Sequence, residues 1–353
     1  MEDQVLKNVI EESMNIKDSP LGYYPIEMSS KGVYGAPKSF YVRNFSTEEA
    51  LELGMVAQED LPIKIIGMAQ NLIYDNGANI SNFLDSEVSE FLIKFYMTFY
   101  QHKLCDLEYV PTEKDKKFAA KELFSGEDSP EYQGWLRAVS NGKLKFKFDI
   151  DLNSVQYYDV DPSQPQPKRV KYTKNGFECT FAYPRFGDVV VIQKAIKDKF
   201  REQDRKWGPL YDKFKRKQDM ENRYRKGEAI DPSTIEYIPE EDLQAVRKYE
   251  IEKTAYIVSL MKGLYLDSIE GRAVRDLPLE ERIEIAKDPR IDYNAYQMVS
   301  DAFKDIKVGP KPTVKIHNPI TGGMVDYDYT FRPLVLLAAI RNYKSDGATI
   351  EYI

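Results

Sequence analysis

Val170-Lys171-Tyr172-Thr173-Lys174-Asn175-Gly176-Phe177-Glu178-Cys179-Thr180-Phe181 decides the class of this fold. Two runs rich in β-branched and aromatic residues flank Asn-Gly, whose members both tolerate the positive φ of a two-residue hairpin turn. An antiparallel pair is therefore expected in the middle of the chain. Upstream, Leu144-Lys145-Phe146-Lys147-Phe148-Asp149-Ile150 alternates apolar and polar side chains, the period of a half-buried strand. Pro162, Pro165 and Pro167 lie between the two in a loop that cannot enter a sheet interior.

Outward from this centre the period changes to helical. Ser46 stands three residues before Glu49, a spacing that satisfies the free amides of a starting helix from both sides and predicts a helix to about Ala57. Ile65, Met68, Ala69, Leu72 and Ile73 share one helical face in a segment broken at Asn76-Gly77. Asp85 is expected to cap a strong amphipathic helix that buries Val88, Phe91, Leu92, Phe95, Tyr96 and Phe99 on one face. Residues 111–131 are charged, contain Gly126 and Pro130, and read as an exposed connection with a short helix. Downstream, a helix is expected from Val189 to about Lys226, interrupted at Gly208-Pro209. An acidic joint follows, and then a long helix carrying Leu243, Val246, Tyr249, Ala255, Tyr256, Leu260, Met261 and Leu264, with helices continuing to about Asp305.

The ends differ from the body. Val5, Leu6, Val9 and Ile10 show a short helical pattern, residues 29–37 are turn-rich, and Phe40 to Arg43 is strand-like. Thr313 to His317 is strand-like, a turn is expected at Thr321-Gly322-Gly323, Tyr327 and Tyr329 alternate, and the last stretch is apolar. The expectation is an α+β fold: a helical N-terminal part with an extended arm, a small central antiparallel sheet, a helical block and a short β-rich C-terminal tail. Its segments are 1–40 (arm and loop), 41–190 (α+β domain with the antiparallel sheet), 191–305 (helical region) and 306–353 (β-rich tail).

Composition excludes several functions. With 353 residues the chain can bury a sizeable core without a disulfide or a metal. Its longest wholly apolar run is Leu334 to Ile340, far short of the roughly 20 residues that cross a bilayer, and no apolar signal core lies near Met1. A soluble protein that stays where it is made is expected, with no membrane partner. Cys105 and Cys179 are the only cysteines, which favours a reducing compartment; with His102 and His317 scattered singly, a closed zinc site is disfavoured.

The net charge of −7 conceals an asymmetry. From Lys194 to Lys226 there are 13 Lys or Arg against 6 Asp or Glu. Interleaved with Phe200, Trp207, Tyr211, Phe214 and Tyr224, these cations combine charge with stacking surface and could grip phosphates. The six acids favour a solvated face or a docking surface for an acidic partner. The candidate partner-binding residues are Lys206, Lys213, Lys215, Arg216, Lys217, Arg223 and Arg225.

No catalytic or cofactor-binding constellation stands out. Neither a phosphate loop nor a GxGxxG after a strand is present, and neither His is accompanied by a nucleophile elbow. His102, just after a helix, suits a helix C-terminus, and its spacing from Cys105 fits packing better than a nucleophile pair. Asp149 with Asp151, Asp159 with Asp161, and Asp326 with Asp328 could each share a strand face and hold Mg²⁺ or Ca²⁺, but none has a third ligand at fixed spacing. No metal and no cofactor is expected.

The order of several segments resembles the baseplate hub and tail assembly proteins of large contractile-tailed phages. The marks are Met28-Ser29-Ser30-Lys31-Gly32-Val33-Tyr34; Tyr41-Val42-Arg43-Asn44-Phe45-Ser46-Thr47-Glu48-Glu49-Ala50-Leu51; the helix after Phe83-Leu84-Asp85; and Gly176 to Asp188, which ends in Ala182-Tyr183-Pro184-Arg185-Phe186-Gly187-Asp188. The turn Asn318-Pro319-Ile320-Thr321-Gly322-Gly323 is similar as well. The resemblance implies a non-enzymatic virion component in the tail baseplate, assembled in the host cytoplasm, present in several symmetric copies and bound to other baseplate and tail proteins. An assembly chaperone absent from the mature particle is one alternative. A nucleic-acid-binding protein using residues 194–226 is another.

Overall fold

The computed structural model describes residues 21–56, 61–74, 78–163, 169–225, 237–304 and 306–342. The chain is α+β, with helical blocks and small antiparallel sheets. It divides into two compact units, one from residues 1–165 with 307–353 and the other from 166–306, so the second is inserted within the first along the chain. The expected boundary at 190 falls inside the inserted unit. The helical pattern at Val5 to Ile10 and parts of the proline loop and the acidic joint lie outside the described residues.

The first unit opens with β1 (Tyr24–Glu27) and β2 (Ser39–Val42), paired antiparallel with Tyr24 opposite Val42. Residues 21–40 are thus not an arm: Ile26, Met28, Val33, Ala36 and Phe40 are buried. Next comes α1 (Thr47–Met55), where the reciprocal cap forms as expected, Glu49 N donating to Ser46 Oγ and Ser46 N to Glu49 Oε2. Beyond α2 (Leu61–Leu72) lies α3 (Asp85–Phe99). Asp85 is its first helical residue rather than its cap. The capping oxygen belongs to Glu87, which accepts from Leu84 N at 2.9 Å. The helix is also buried on more than one face, since Glu87, Ser89, Glu90 and Ile93 are enclosed beside the expected apolar stripe.

Glu87 and Glu90 are fully buried carboxylates, and such groups need hydrogen-bond donors. The loop between β1 and β2 supplies them. Gly35 N and Ala36 N donate to Glu87 Oε2 at 3.2 and 3.1 Å, while Ser29 N and Ser29 Oγ donate to Glu90 at 2.7 and 2.6 Å. Lys94 completes the set, 2.6 Å from Glu90. Gly35 comes so close to the turn of Ile80–Asn82, just before α3, that an added Cβ would stand 1.9 Å from Asn82 O.

After α3 the chain forms β3 (Lys103–Tyr109) and α4 (Glu113–Phe118), which runs on into a π-helical turn at Ala119–Leu123, then α5 (Pro130–Ser140) and β4 (Phe146–Asp151), antiparallel to β3. Within the segment expected to be an exposed connection, Ala119 and Ala120 are buried in a small core with Tyr132, just beyond it, and with Phe124 and Trp135 against it. Aromatic burial outweighs the polar average of that stretch.

The inserted unit begins with β5 (Arg169–Lys174) and β6 (Phe177–Ala182), the hairpin read from the sequence. Asn175 and Gly176 have φ of 51° and 79°, as the tight turn demands. Then come α6 (Phe186–Arg225), α7 (Glu240–Tyr265), β7 (Leu266–Ile269), β8 (Arg272–Ala273), α8 (Leu279–Ala286) and α9 (Tyr293–Lys304). The sheet order is β5-β6-β7-β8. β7 and β8 stand in a stretch where only helices were expected, joined by a second turn in which Glu270 and Gly271 have φ of 47° and 78°. Phe177, Cys179, Phe181, Leu266 and Val274 meet Ala295, Val299 and Phe303 in one core, where each buried Phe contributes about 2–3 kcal/mol.

The chain then returns to the first unit through β9 (Thr313–His317), β10 (Met324–Asp328) and α10 (Pro333–Asn342). The described part of the tail therefore includes a helix, whose Leu336, Leu337 and Ile340 are buried. Asp115 on α4 binds this returning segment. It accepts from Tyr109 Oη (2.6 Å), Thr112 N (2.7 Å) and Asn318 Nδ2 (2.6 Å), and Asn318 Oδ1 in turn accepts from Ile320 N and Thr321 N.

Gly35→Ala is expected to destabilise the first unit by about 2–4 kcal/mol, because backbone must move to admit the methyl group. Gly134→Ala, on α5 with open space around it, is expected to stabilise by about 0.5–1 kcal/mol. Urea denaturation of both variants checks the contrast.

A second expectation concerns acid. The Arg43 fork on Glu49, at 2.7 and 2.8 Å, holds the Glu49 carboxyl down at about 2, against its burial and with help from the Ser46 amide. A depressed carboxyl pKa gives stability that is present above the ordinary carboxylate range and lost as pH falls towards 2. Carboxyl NMR titration should place the Glu49 midpoint near 2 and shift it upward in Arg43→Gln.

Candidate interaction surface

The expected partner-binding cations all lie on α6. Its 40 residues make a rod about 60 Å long, and the 26 residues of α7 run back along it. The pairing is antiparallel, because Ile192 packs with Leu260 and Leu264 at one end while Phe214 packs with Val246 and Ile238 at the other. Between them Phe200 meets the edges of Tyr249 and Tyr256, at 6.3 and 5.6 Å between ring centres. Phe200, Trp207 and Phe214 recur every seven residues on α6; Val246, Lys253 and Leu260 do so on α7. That is the spacing of a coiled-coil seam.

Lys253 is the polar residue in this seam. Its Nζ donates to Asp204 Oδ1 at 2.7 Å and to Tyr249 Oη at 2.9 Å, and Tyr249 Oη also donates to Asp204. Burial opposes ionisation of Asp204, but its hydrogen bonds from Lys253 and Tyr249 prevail and its pKa lies below the usual carboxylate range. A charged pair at one seam position penalises any other register, as a single polar residue does in coiled coils.

Helix α6 is not interrupted at Gly208-Pro209. Pro209 lies inside it with an exposed side chain. The seam explains the difference: Phe200 and Tyr211, on either side of the proline, both pack on Tyr249 of α7, and a break would release one half from its partner.

The seven cations do not converge. Successive residues of a helix turn by about 100°, so Lys206, Lys213 and Lys217 fall on one flank of the seam and Lys215 on the opposite flank. Lys215 is drawn to α7, with Nζ 2.6 Å from Glu250 and over the Tyr211 ring, and the Glu250 bond raises its pKa. Lys206 Nζ lies 4.6 Å from the centre of the Trp207 ring, and Lys217 stands 4.0 Å from Glu221. Arg216 and Arg225 are exposed, and the side chain of Arg223 lies outside the described residues. The outward ridge mixes signs, with Lys194, Asp198, Arg201, Arg205, Asp212, Arg216 and Asp219 at intervals near three, four and seven. The concentrated positive strip is therefore the flank of Lys206, Lys213 and Lys217, with Trp207 beside it. Helical-wheel arithmetic on the sequence separates the flanks; only the partner helix shows that Lys215 is engaged by Glu250.

The other candidates occupy structural positions. Asp149 accepts from Asp106 N at 3.1 Å, Asp151 caps the turn at Asn153, Asp159 pairs with Lys31 at 2.5 Å, Asp161 accepts from Ser163 N, and Asp328 accepts from Thr313 Oγ1. Among the described residues no group of three or more His, Cys, Asp or Glu is placed to hold a metal ion. His102 is exposed beside a groove of about 380 Å³ between β1 and α3. Cys105 is exposed; Cys179 is buried, which pushes its thiol up to about 12. No helix among the described residues is long and apolar enough to cross a membrane.

The sequence reading missed Glu87 and Glu90 as the residues that hold the Ser29–Ala36 loop. Their position within an otherwise apolar helix was the available signal. No family model, curated protein or solved structure matches the chain.

Pro209→Ala restores an amide donor to the middle of α6 and is expected to stabilise the inserted unit by about 1–3 kcal/mol. Urea denaturation monitored by far-UV circular dichroism measures it.

Proposed function

We propose that this chain is a non-enzymatic structural component of a contractile phage tail, in the hub region of the baseplate, and that it binds neighbouring tail proteins. The observation that carries the reading is the α6–α7 hairpin, a seamed pair of long helices with a strip of cations beside a tryptophan on one flank. Such a flank suits an acidic protein neighbour, where charge complementarity fixes orientation more than it adds affinity. The ordered marks shared with baseplate hub and tail assembly proteins support the same reading. Several symmetric copies in the virion are part of it, because each copy would present the same flank to an equivalent neighbour.

Mass spectrometry of density-purified particles beside the infected-cell lysate tests the assignment. A few copies per tail are expected. Presence in the lysate and absence from particles would replace the proposal with an assembly chaperone. Retention on DNA at low salt that declines steeply as salt rises would favour nucleic-acid binding through residues 194–226.

The flank has its own test. Reversing Lys206, Lys213 and Lys217 to Glu is expected to abolish incorporation while leaving the circular dichroism spectrum unchanged. Particles that assemble normally with this variant would remove the flank from the proposal.

A further inference from the structure

The motif Ala182-Tyr183-Pro184-Arg185-Phe186-Gly187-Asp188 leads from β6 into the start of α6. The first amides of a helix have no intrahelical acceptor and carry the positive end of its dipole. Three arginines gather at this end. Arg282 on α8 donates Nη2 to Asp188 Oδ1 in the first turn of α6 at 2.6 Å. Its side chain is only 3% exposed, and both Nε and Nη1 are buried with no hydrogen-bond partner. Arg275 donates Nη2 to Tyr183 O at 2.7 Å, and its Nη1 stands 3.7 Å from Asp267. Arg185, 31% exposed and 3.1 Å from Asp276, lies at the solvent side.

The charges do not balance. Asp267 is also held by Arg169, with Nε at 2.9 Å, so among the described residues the ion pairs of Arg169, Arg185, Arg275 and Arg282 are shared by three carboxylates, Asp188, Asp267 and Asp276. Burial lowers the Arg275 pKa, and the charges of Arg185 and Arg282 lower it further, so the guanidinium groups repel one another. Buried N–H groups without an acceptor are rare in folded proteins, and each calls for an unseen water or ion. A water would satisfy the Arg282 donors but leave the surplus positive charge; an anion answers both.

We propose that the start of α6 binds a small oxyanion, a phosphoryl or carboxylate group, with Arg282 as its floor, the first-turn amides around it and Arg185 at its mouth. A phosphoryl group or a carboxylate can accept from several guanidinium donors at once, which is why arginine dominates such sites. The site is separate from the Lys206–Lys217 flank and does not depend on the baseplate reading.

Isothermal titration calorimetry of the full chain against inorganic phosphate, sulfate and acetate at constant ionic strength tests it. Saturable one-to-one binding is expected, weakened roughly tenfold or more in Arg282→Lys, which keeps the charge but loses the planar fork, and in Arg185→Gln. Arg185 is partly exposed, so its variant should fold and decides the matter alone if Arg282→Lys does not. Phosphate and sulfate tighter than acetate identifies a phosphoryl ligand, and the reverse a carboxylate from a protein partner; either result supports the site. No saturable binding of the three anions up to about 10 mM, or binding unchanged in a folded Arg185→Gln variant, overturns it.

Discussion

Two carboxylates in the interior of a helix that is enclosed on several sides impose the constraint on which the first unit depends. Glu87 and Glu90 have no access to water, so the energy of burying them is recovered through donors, from Leu84 N and Lys94 of the helix itself and from the loop between β1 and β2. The donors are backbone amides of the loop between β1 and β2, together with Ser29 Oγ and Lys94. Burial pushes the Glu87 pKa up, and its bonds from the Leu84, Ala36 and Gly35 amides act in the other direction. The loop therefore has one place to go. Gly35 is tied to that place by contact as well, since only a residue without Cβ fits against Asn82 O.

This arrangement also shows which parts of the fold were legible from residues alone. The Asn175-Gly176 hairpin, the Ser46–Glu49 cap, the strand at Thr313–His317 and the class α+β were all readable, because each rests on local periodicity or turn chemistry. The elements that differed depend on distant partners. Nothing near Pro209 announces that α7 will hold both halves of α6 together. Nothing in residues 111–131 announces that Asp115 will meet Asn318, 203 positions away. β7 and β8 were hidden for another reason: Glu270-Gly271 is a weaker turn signal than Asn-Gly, and the strands are only four and two residues long.

The candidate surface was legible in composition and not in geometry. The basic excess of residues 194–226 is visible in a count, yet a helix distributes it around its axis. Lys215 is drawn onto Glu250, the outward ridge mixes signs, and a narrower strip lies on one flank, with Glu221 beside its Lys217. The arginine group at the start of α6 was not visible at all, because Arg185 is some 90 residues before Arg275 and Arg282 and only the fold brings the β6–α6 corner to them.

The insertion of residues 166–306 between the two parts of the first unit governs the order in which the chain can fold on a ribosome. α3 waits for α10, and Asp115 waits 203 residues for Asn318, so the first unit cannot close its core until those further residues have been made. At cellular rates of about 5–20 residues per second that interval is on the order of ten to fifty seconds. The inserted unit is continuous and can complete its sheet and helical hairpin within that time. The earlier-made segment meanwhile lacks α10 against α3, and apolar surface left open in that interval is the kind a cellular holdase binds during synthesis.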